Sequence, residues 1–382
     1  MSVFDQLVDQ DKVCTVLKEA VAASRDVKNI GQQMTHSWLF TGPAGSGRSN
    51  AAIAFASALV CPSGGCNNCN ECLSAASGSH ADVELIRTEG LSIKIDEIRE
   101  LISRASWAPS VANYRVVVIE DADRLTESAA NALLKVIEEP GARTIWLLCA
   151  PTLTDVLPTI RSRCRHLALH TPSIKAVTKL LIERDQIKPE LAEYAARISQ
   201  GHIGVARHLA TNKEMRDERL KSLRIPSMLT DLNSAYKAAV LLVDAAKQRA
   251  ENDSEIRNSV EIEKLKQAWG ATGSKLASGG SKAIKELEKE QKTRGTRLVR
   301  DYLDRALLDL ATFYRDVMLV QSGATDFLIN SDLQDEITNM ASTTAESKTL
   351  AKIQAILKTR INLGHNAAPL LAVEALMCEL RR

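Results

Sequence analysis

The chain has 382 residues, which is enough for two or three domains with substantial cores. Its 25% charged and 45% hydrophobic residues are typical of an ordinary soluble globular protein. The formal net charge of +2 is too small for a protein that coats nucleic acid, although a local basic patch is compatible with it. The N-terminal residues carry acids rather than a basic and then apolar run, and no apolar stretch is long enough to cross a bilayer. We therefore expect a cytoplasmic protein without membrane contact.

Apolar runs typical of strands alternate with helical patterns through about the first 170 residues. The candidate strands are residues 38–41, 83–87, 115–120, 144–149 and 165–169. Helical spacing marks residues 98–105, and Thr126 is placed to cap a further helix that Pro140 and Gly141 end. The alternation predicts an α/β fold with a parallel sheet, helices on both faces, and ligands at the carboxyl ends of the strands, where Thr41 ends the first one.

Directly after the first strand, residues 42–49 read Gly-Pro-Ala-Gly-Ser-Gly-Arg-Ser, a pattern similar to a phosphate loop. Gly42, Gly45 and Gly47 let backbone N–H groups turn toward phosphate oxygens, and Ser49 stands where a hydroxyl would contact Mg²⁺. Arg48 replaces the lysine of the working motif, and its planar fork does not substitute freely for a compact ammonium. The pattern leaves binding of ATP or ADP with Mg²⁺ open and argues against fast hydrolysis; a glycine turn without a ligand is the alternative.

Four of the eight cysteines fall within a dozen positions, which indicates a metal site rather than a disulfide framework in a reducing compartment. The spacing is Cys-x4-Cys-x2-Cys-x2-Cys, formed by Cys61, Cys66, Cys69 and Cys72. Four thiolates on one tetrahedral ion favour structural Zn²⁺ and leave no open catalytic position. An iron–sulfur cluster and a cysteine-rich loop without an ion are the alternatives. The remaining cysteines considered, Cys14, Cys149 and Cys378, are expected to be small buried hydrophobes.

The strand pattern at 116–119 ends in two acids, Glu120 and Asp121. In hydrolytic proteins with such a strand, one acid holds the metal-bound water and the next orients the attacking water. The usual order is Asp and then Glu, and the reversed order here moves each carboxylate by a methylene. Because a displacement of about 1 Å can lower a rate roughly a hundredfold, this pair also favours nucleotide binding without turnover.

Strand patterns end after residue 170, and the rest of the chain has helical patterns. Residues 171–212 suit a small helical lid, and residues 213–382 look entirely helical, as the spacing of Leu303, Ala306, Leu307, Leu310 and Tyr314 shows. Charged runs at 261–267 and 282–292 flank a Gly/Ser-rich segment, which predicts an exposed helical insertion near 250–300 with a flexible tip. We therefore predict three domains, at 1–170, 171–212 and 213–382.

Several stretches carry a resemblance to a known family: residues 36–43, the four-cysteine insert at 61–72, residues 130–140, 157–164 and 362–376. Together they resemble the delta-prime family of bacterial DNA polymerase III clamp-loader subunits, which are relatives of the AAA+ ATPases. The stretch 157–164, Leu-Pro-Thr-Ile-Arg-Ser-Arg-Cys, is the most specific. The resemblance covers the first 210 residues well and the tail moderately, and it does not extend to residues 217–300.

The resemblance implies an AAA+ module with a zinc insert, a helical lid and an all-α collar at 213–382 that serves oligomerisation. It also implies that Arg163 is an arginine finger, donated in trans to nucleotide held by a neighbouring subunit, where a guanidinium neutralises charge on the terminal phosphate. The alternative is that Arg161, Arg163 and Arg165 form a solvated or DNA-facing basic edge.

This chain departs from the ATPase members of the family at their two sensor positions. Ala150 and Pro151 offer no side-chain donor where the motor subunits have a polar sensor, and Gly204 occupies the place of the second sensor arginine, with Arg207 three residues away. With Arg48 and the reversed acid pair, four parts of the hydrolytic site are altered. These changes together favour a non-motor subunit.

The resulting prediction is a stator subunit of a clamp-loader ring with gamma/tau ATPase subunits and a delta subunit. The ring would use ATP to load the sliding clamp onto primer-template DNA, and polymerase activity would belong only to the complex. No independent catalytic centre is expected, and whether the chain has weak ATPase activity stays open. The alternatives are an active ATPase subunit of the gamma/tau type and a zinc-dependent nucleic-acid-binding module with a vestigial phosphate loop, whose DNA binding would weaken steeply with salt.

Overall fold

The structure, a computed structural model, describes residues 2–25, 34–88, 90–141, 143–268, 280–365 and 367–381. These residues form two compact units, Met1–Thr211 and Asn212–Arg382. The first is an α/β unit and the second is built of helices.

The first unit contains the predicted parallel sheet. Its five strands are β1 (Ser37–Thr41), β2 (Val83–Ile86), β3 (Arg115–Ile119), β4 (Thr144–Ala150) and β5 (Arg165–Ala168). They lie in the order β2-β3-β4-β1-β5, and all neighbours are parallel. All five strand predictions are confirmed, each with one end displaced by one residue. Two of these ends differ because the last ladder bonds continue past the strand, from Leu169 N to Thr41 O and from Glu120 N to Ile86 O.

Helices cover both faces of the sheet, as the alternation predicted. They are α1 (Asp11–Arg25), α2 (Arg48–Val60), α3 (Asn70–Ser77), α4 (Ile95–Ala105), α5 (Glu127–Glu138) and the single turn α6 (Pro158–Arg161). Successive strand residues point to opposite faces, so Trp38 and Phe40 pack with α1, α2 and α3, whereas Leu39 and Trp146 pack with α4, α5 and α6. Thr126 caps α5 as predicted, because its side chain accepts a hydrogen bond from Ala129 N at 3.3 Å.

Three short helices complete the first unit: α7 (Ile174–Glu183), α8 (Pro189–Ile198) and α9 (Ile203–Thr211). Ser173 caps α7, and Pro189 stands at the start of α8, where its missing N–H is no loss. Between α8 and α9, Gly201 has a φ of +85°, and a side-chain carbon there would lie 2.4 Å from Pro172 O. Only glycine fits this turn, which fixes where α9 begins.

The described residues of the second unit form helices joined by short turns and loops, without a strand. Its helices are α10 (Lys213–Met228), α11 (Leu232–Ala268), α12 (Gly280–Gln321), α13 (Gln334–Thr343), α14 (Glu346–Gly364) and α15 (Pro369–Leu380). The helical spacing predicted around residues 303–314 is confirmed, because Leu303, Leu307, Leu310 and Tyr314 are buried in one core. In the described part of the chain, no helix combines the length and the apolar composition needed to span a membrane.

The charged stretch near 250–300 lies on the two longest helices, α11 and α12, so its helical character is confirmed. Most of the predicted flexible tip falls outside the described residues. Not all of these charged side chains are solvated. Arg294 is largely buried, and its Nη2 lies 2.6 Å from Glu261 Oε2. Hydrogen bonds from Arg294, Gln291 and Arg257 hold the pKa of Glu261 at about 2. Paired charges therefore join the two helices along this stretch.

Candidate functional site

The phosphate-loop-like segment connects β1 to the N-terminus of α2, at the carboxyl edge of the sheet. Gly45 and Gly47 have φ values of +87° and +84°, and Gly47 is the residue that precedes α2. A side-chain carbon at Gly42 would lie 2.4 Å from Ser46 Oγ and 2.8 Å from Leu169 O. The glycines thus permit a tight loop at the positive end of a 13-residue helix, which is the geometry of an anion site.

Arg48, the residue in place of the lysine, folds back onto the loop that it follows. Its Nη1 donates a hydrogen bond to Gly42 O at 2.7 Å. Its Nε is buried and has no hydrogen-bond partner among the described residues. A guanidinium held against a loop carbonyl differs in placement from an ammonium free to reach terminal phosphates, so the substitution changes geometry as well as residue type.

The predicted acids and two of the loop residues influence the buried thiol of Cys149, near the end of β4. Burial raises the pKa of Cys149; the charges of Glu120 and Asp121 act in the same direction, whereas the charge of Arg48 and a hydrogen bond from Ser49 oppose them. Arg48, Ser49, Glu120 and Asp121 therefore all lie within interaction range of this thiol. Glu120 is already engaged there, since Arg87 Nε, beyond the end of β2, donates to its Oε1 at 2.7 Å.

Asp123 belongs to this site but was not among the predicted site residues. Its Oδ1 is buried and has no hydrogen-bond partner in the described part of the chain. Burial raises its pKa, the negative charge of Asp121 raises it further, and Arg48 opposes both. Asp123 lies in the same stretch as Glu120 and Asp121, so the sequence already pointed to it. What the sequence could not show is that its carboxyl group is buried within range of the charges of Asp121 and Arg48.

The segment before α9 lies directly against the phosphate-loop-like segment. A side-chain carbon at Gly45 would stand 2.6 Å from His202 Cα, so the absence of a side chain at Gly45 allows this approach. Of the two sensor positions, Ala150 and Pro151 contribute only carbonyl oxygens, which accept from Gly42 N at 3.3 and 3.1 Å. Arg207 near the second position donates from Nε to Asp185 Oδ2 at 2.6 Å within the same group of helices.

Arg163 lies just after α6, at a surface beside β5. Its Nε is 2.5 Å from Glu138 Oε1, and its Nη1 donates to Thr159 O at 2.9 Å and to Ser162 Oγ at 3.1 Å. The side chain stays 39% exposed, so the guanidinium is accessible from outside the subunit. This placement suits contact with an anion outside the subunit.

The four clustered cysteines form a compact sulfur site. All four Sγ atoms lie within 4.8 Å of one another, and Cys61 Sγ is 3.7 Å from Cys66 Sγ and 3.6 Å from Cys69 Sγ. Tetrahedral Zn–S bonds of about 2.3 Å place sulfurs about 3.8 Å apart, so the residues present fit a Zn²⁺ ion. Gly64, Gly65 and Asn67 have positive φ values, which allow the chain to turn sharply between these ligands.

Backbone donors around Cys61 favour its thiolate, the form that binds metal. Burial acts to raise the pKa of Cys61, but amide hydrogen bonds from Cys66, Gly65 and Ser63 outweigh it and hold the pKa at about 6. The cysteine loop also docks on the N-terminal segment, since Val3 N donates to Gly65 O at 3.0 Å and Arg25 donates to Cys61 O. The cluster therefore fastens a loop to the α/β unit, as a structural site would.

All eight cysteines are free thiols, in agreement with the expectation of no disulfide framework. Of the three cysteines expected to be buried, Cys149 is buried and Cys14 is partly buried. The prediction for Cys378 is wrong, because Cys378 lies on the exposed side of α15. Its apolar neighbours in the sequence fill the core from adjacent turns, and the composition of the segment did not reveal which side Cys378 takes.

Comparisons with known proteins place these features in a family. Residues 19–173 match the family model described as DNA polymerase III, delta subunit, and residues 300–380 match the model of its C-terminal part. The delta' subunit of Bacillus subtilis DNA polymerase III is 33% identical over 200 residues, 52% of this chain and 60% of the relative. The delta' subunit of Pseudomonas aeruginosa is 35% identical over 150 residues, 38% of this chain and 46% of the relative.

The gamma/tau subunit of Mycobacterium tuberculosis DNA polymerase III is 31% identical over 206 residues, which are 52% of this chain and 34% of that protein. A solved structure of a DNA polymerase III gamma subunit-related protein from Thermotoga maritima aligns with 96% of this chain and 98% of that chain. The identity is 17% and the TM-score is 0.42. The chain thus spans no more than 60% of the length of the sequence relatives it matches.

Proposed function

The chain belongs to the family of DNA polymerase III clamp-loader subunits, and on that premise we propose that it is a non-motor subunit of such a loader. In this role it supports the ATP-driven loading of a sliding clamp onto primed DNA during replication. It contributes a rigid α/β module and an arginine to the ring, and the nucleotide chemistry takes place in neighbouring subunits.

The observation that carries the non-motor assignment is the placement of Arg48. Its guanidinium donates a hydrogen bond to Gly42 O, so the cation in the lysine position binds the loop and is not directed at a terminal phosphate. The pairing of Glu120 with Arg87 supports the same conclusion, since a carboxylate held by a guanidinium is a poorer ligand for a metal-bound water. Any ATP or ADP that binds with Mg²⁺ would be held by Gly42, Gly45, Gly47 and Ser49 with Glu120 and Asp121 nearby, without rapid turnover.

We further propose that Arg163 is the finger offered to a neighbour. Its support is the exposed guanidinium, which is ordered by an ion pair with Glu138 and by hydrogen bonds to Thr159 O and Ser162 Oγ. An arginine in that role stabilises charge that develops on the terminal phosphate during transfer. The neighbour would be a gamma/tau ATPase subunit, and a delta subunit, the sliding clamp and primer-template DNA would be reached through the complex.

The remaining assignments follow from the same proposal. Zn²⁺ held by Cys61, Cys66, Cys69 and Cys72 stabilises the insert and takes no part in chemistry. The chain works in the cytoplasm. Residues 1–170 act as the nucleotide-binding-like domain, 171–212 as its lid and 213–382 as the collar through which the subunits assemble.

The first competing function is that of an active gamma/tau-type ATPase, which the 31% identity with a gamma/tau subunit favours. It predicts measurable ATP hydrolysis by the isolated chain. The second is a zinc-dependent nucleic-acid-binding module, which predicts DNA binding by the isolated chain that weakens steeply with salt.

The experiment reconstitutes the loader with Arg163→Ala and measures clamp- and DNA-stimulated ATP hydrolysis together with clamp loading. We expect hydrolysis at the neighbouring site to fall about a thousandfold, the typical contribution of an arginine finger. Arg161→Ala is the matched control, because Arg161 lies in the same turn and its Nη1 only donates to Leu153 O at 3.3 Å. Unchanged hydrolysis with Arg163→Ala would exclude the finger.

A further inference from the structure

We propose that Glu138 is a positioning residue for Arg163, an inference that rests on the function proposed above. The two side chains come from different parts of the α/β unit, since Glu138 ends α5 and Arg163 follows α6. Arg163 Nε lies 2.5 Å from Glu138 Oε1. The role of Glu138 is to hold the guanidinium plane in the orientation that a neighbouring phosphate requires.

Some N–H donors of Arg163 contact residues of its own chain, and the others face solvent. A guanidinium has five N–H donors in a rigid plane. Nε forms the ion pair with Glu138, and Nη1 donates to Thr159 O and Ser162 Oγ, while Nη2 makes no hydrogen bond within the part of the chain that the structure describes. The contacts within the chain therefore fix the plane from one side and leave the two Nη2 hydrogens for an anion.

Both residues are anchored by buried neighbours. Ile137, just before Glu138, and Ile160, three residues before Arg163, are packed in the same core cluster under the sheet. The backbone of Arg163 is also fixed, because its N–H donates to Ile160 O at 3.1 Å. The separation between the two side chains is thus set by the core, and the ion pair does not depend on a flexible loop.

The position of Glu138 in its helix is unfavourable without a partner. A carboxylate in the last turn faces the negative end of the helix dipole, where lysine or arginine is preferred. Helix propensity and capping therefore do not account for a glutamate at this end of α5. The cation of Arg163 at 2.5 Å does account for it.

The partial exposure of both side chains indicates that Glu138 orients Arg163 and does not block its contact with an anion. Arg163 is 39% and Glu138 is 47% exposed, and the coupling in such half-exposed ion pairs is small. A neighbour's triphosphate needs only the Nη2 hydrogens, so it can bind while Nε keeps its contact with Glu138. The same pair is strong enough to limit the rotamers of a long side chain before the neighbour arrives.

The test compares Glu138→Ala and Glu138→Gln, each alone and combined with Arg163→Ala, in the reconstituted loader. The readouts are kcat and the KM for ATP of clamp-stimulated hydrolysis and the melting temperature of the purified subunit. We expect Glu138→Ala to lower kcat about two- to fivefold, the range to which coupling in a half-exposed ion pair converts, with KM unchanged. Glu138→Gln, which keeps the shape and one acceptor, is expected to lie between the wild type and Glu138→Ala.

The double variants separate positioning from a structural effect, because Glu138→Ala should change nothing further once Arg163 is alanine. Glu139→Ala is the control, since Glu139 is the next exposed residue at the end of α5. The inference is overturned if Glu138→Ala raises kcat, if it equals Glu139→Ala, or if it lowers kcat equally in the Arg163→Ala background. Wild-type turnover with Arg163→Ala alone would instead remove the proposed finger itself.

Discussion

The glycines of the phosphate-loop-like segment are required for two different physical reasons. Gly45 and Gly47 both have positive φ, so any other residue is strained at either position. Only Gly45 is also enclosed, because a side-chain carbon there would meet His202 Cα at 2.6 Å, whereas nothing lies within 4 Å of one at Gly47. Gly45 therefore maintains the contact with His202, and Gly47 shapes the start of α2.

We predict that Gly45→Ala lowers the free energy of unfolding by about 3 kcal/mol, which combines backbone strain with overpacking. Gly47→Ala should lower it by only about 1 kcal/mol, because strain alone acts there. The measurement is urea unfolding of both variants. Since the nearest atoms include His202 Cα, His202→Ala should not rescue Gly45→Ala; full rescue, or equal losses at the two glycines, would contradict the packing explanation.

Single cysteines in the sulfur cluster should matter far more than the exposed Cys378. We predict that the purified chain carries about one Zn²⁺ and that Cys66→Ser reduces this about tenfold or more after dialysis against a chelator, because a three-sulfur site binds more weakly. Metal analysis of the variants gives the result. Cys378→Ser should keep the metal of the wild type, and equal zinc in both variants would remove the four-thiolate site.

Among the connecting elements, the segment between α4 and β3 is fixed by one carboxylate. Asp82 has no exposed side-chain surface, and its oxygens accept from Ser110 N, Val111 N and Ala112 N at 2.6, 2.7 and 2.8 Å. Burial acts to raise the pKa of Asp82, but these amides and the charge of Arg115 outweigh it and hold the pKa below its ordinary value. The ionised carboxylate therefore stabilises the folded unit.

We predict that Asp82→Asn lowers the free energy of unfolding by about 3 kcal/mol at pH 7, because a buried charge and its amide donors lose their partner. A folded-state pKa below the unfolded value of about 3.9 gives stability that is complete above that value. It is lost as the pH falls through the folded-state pKa. The difference between wild type and variant should therefore be constant from about pH 5 to 8 and shrink below about pH 4.

Urea unfolding followed by tryptophan fluorescence measures this difference, because Trp38, Trp107 and Trp146 lie in the α/β unit. Asp96→Asn is the control: its side chain is 87% exposed, and its loss should cost at most about 1 kcal/mol. A penalty for Asp82→Asn that persists unchanged at pH 3 would show that shape, and not charge, is what the site requires.

For the whole molecule, the sequence predicted the parts that depend on local periodicity and on short motifs. The five strands, the Thr126 cap, the helical second unit and the convergence of four sulfurs all follow from such patterns. It could not predict contacts between distant segments, such as His202 against Gly45 or Glu138 beside Arg163, or the burial of the Asp123 carboxyl group. These contacts depend on how loops return across the sheet, which no single window of sequence records.

The most direct measurement is steady-state ATP hydrolysis by the purified chain alone, with Mg²⁺ and saturating ATP. With Arg48 held on Gly42 O and Glu120 held by Arg87, we expect no hydrolysis above the rate without protein. Turnover on the order of one per second, an ordinary enzymatic rate, would contradict a non-motor subunit and make the chain an ATPase in its own right.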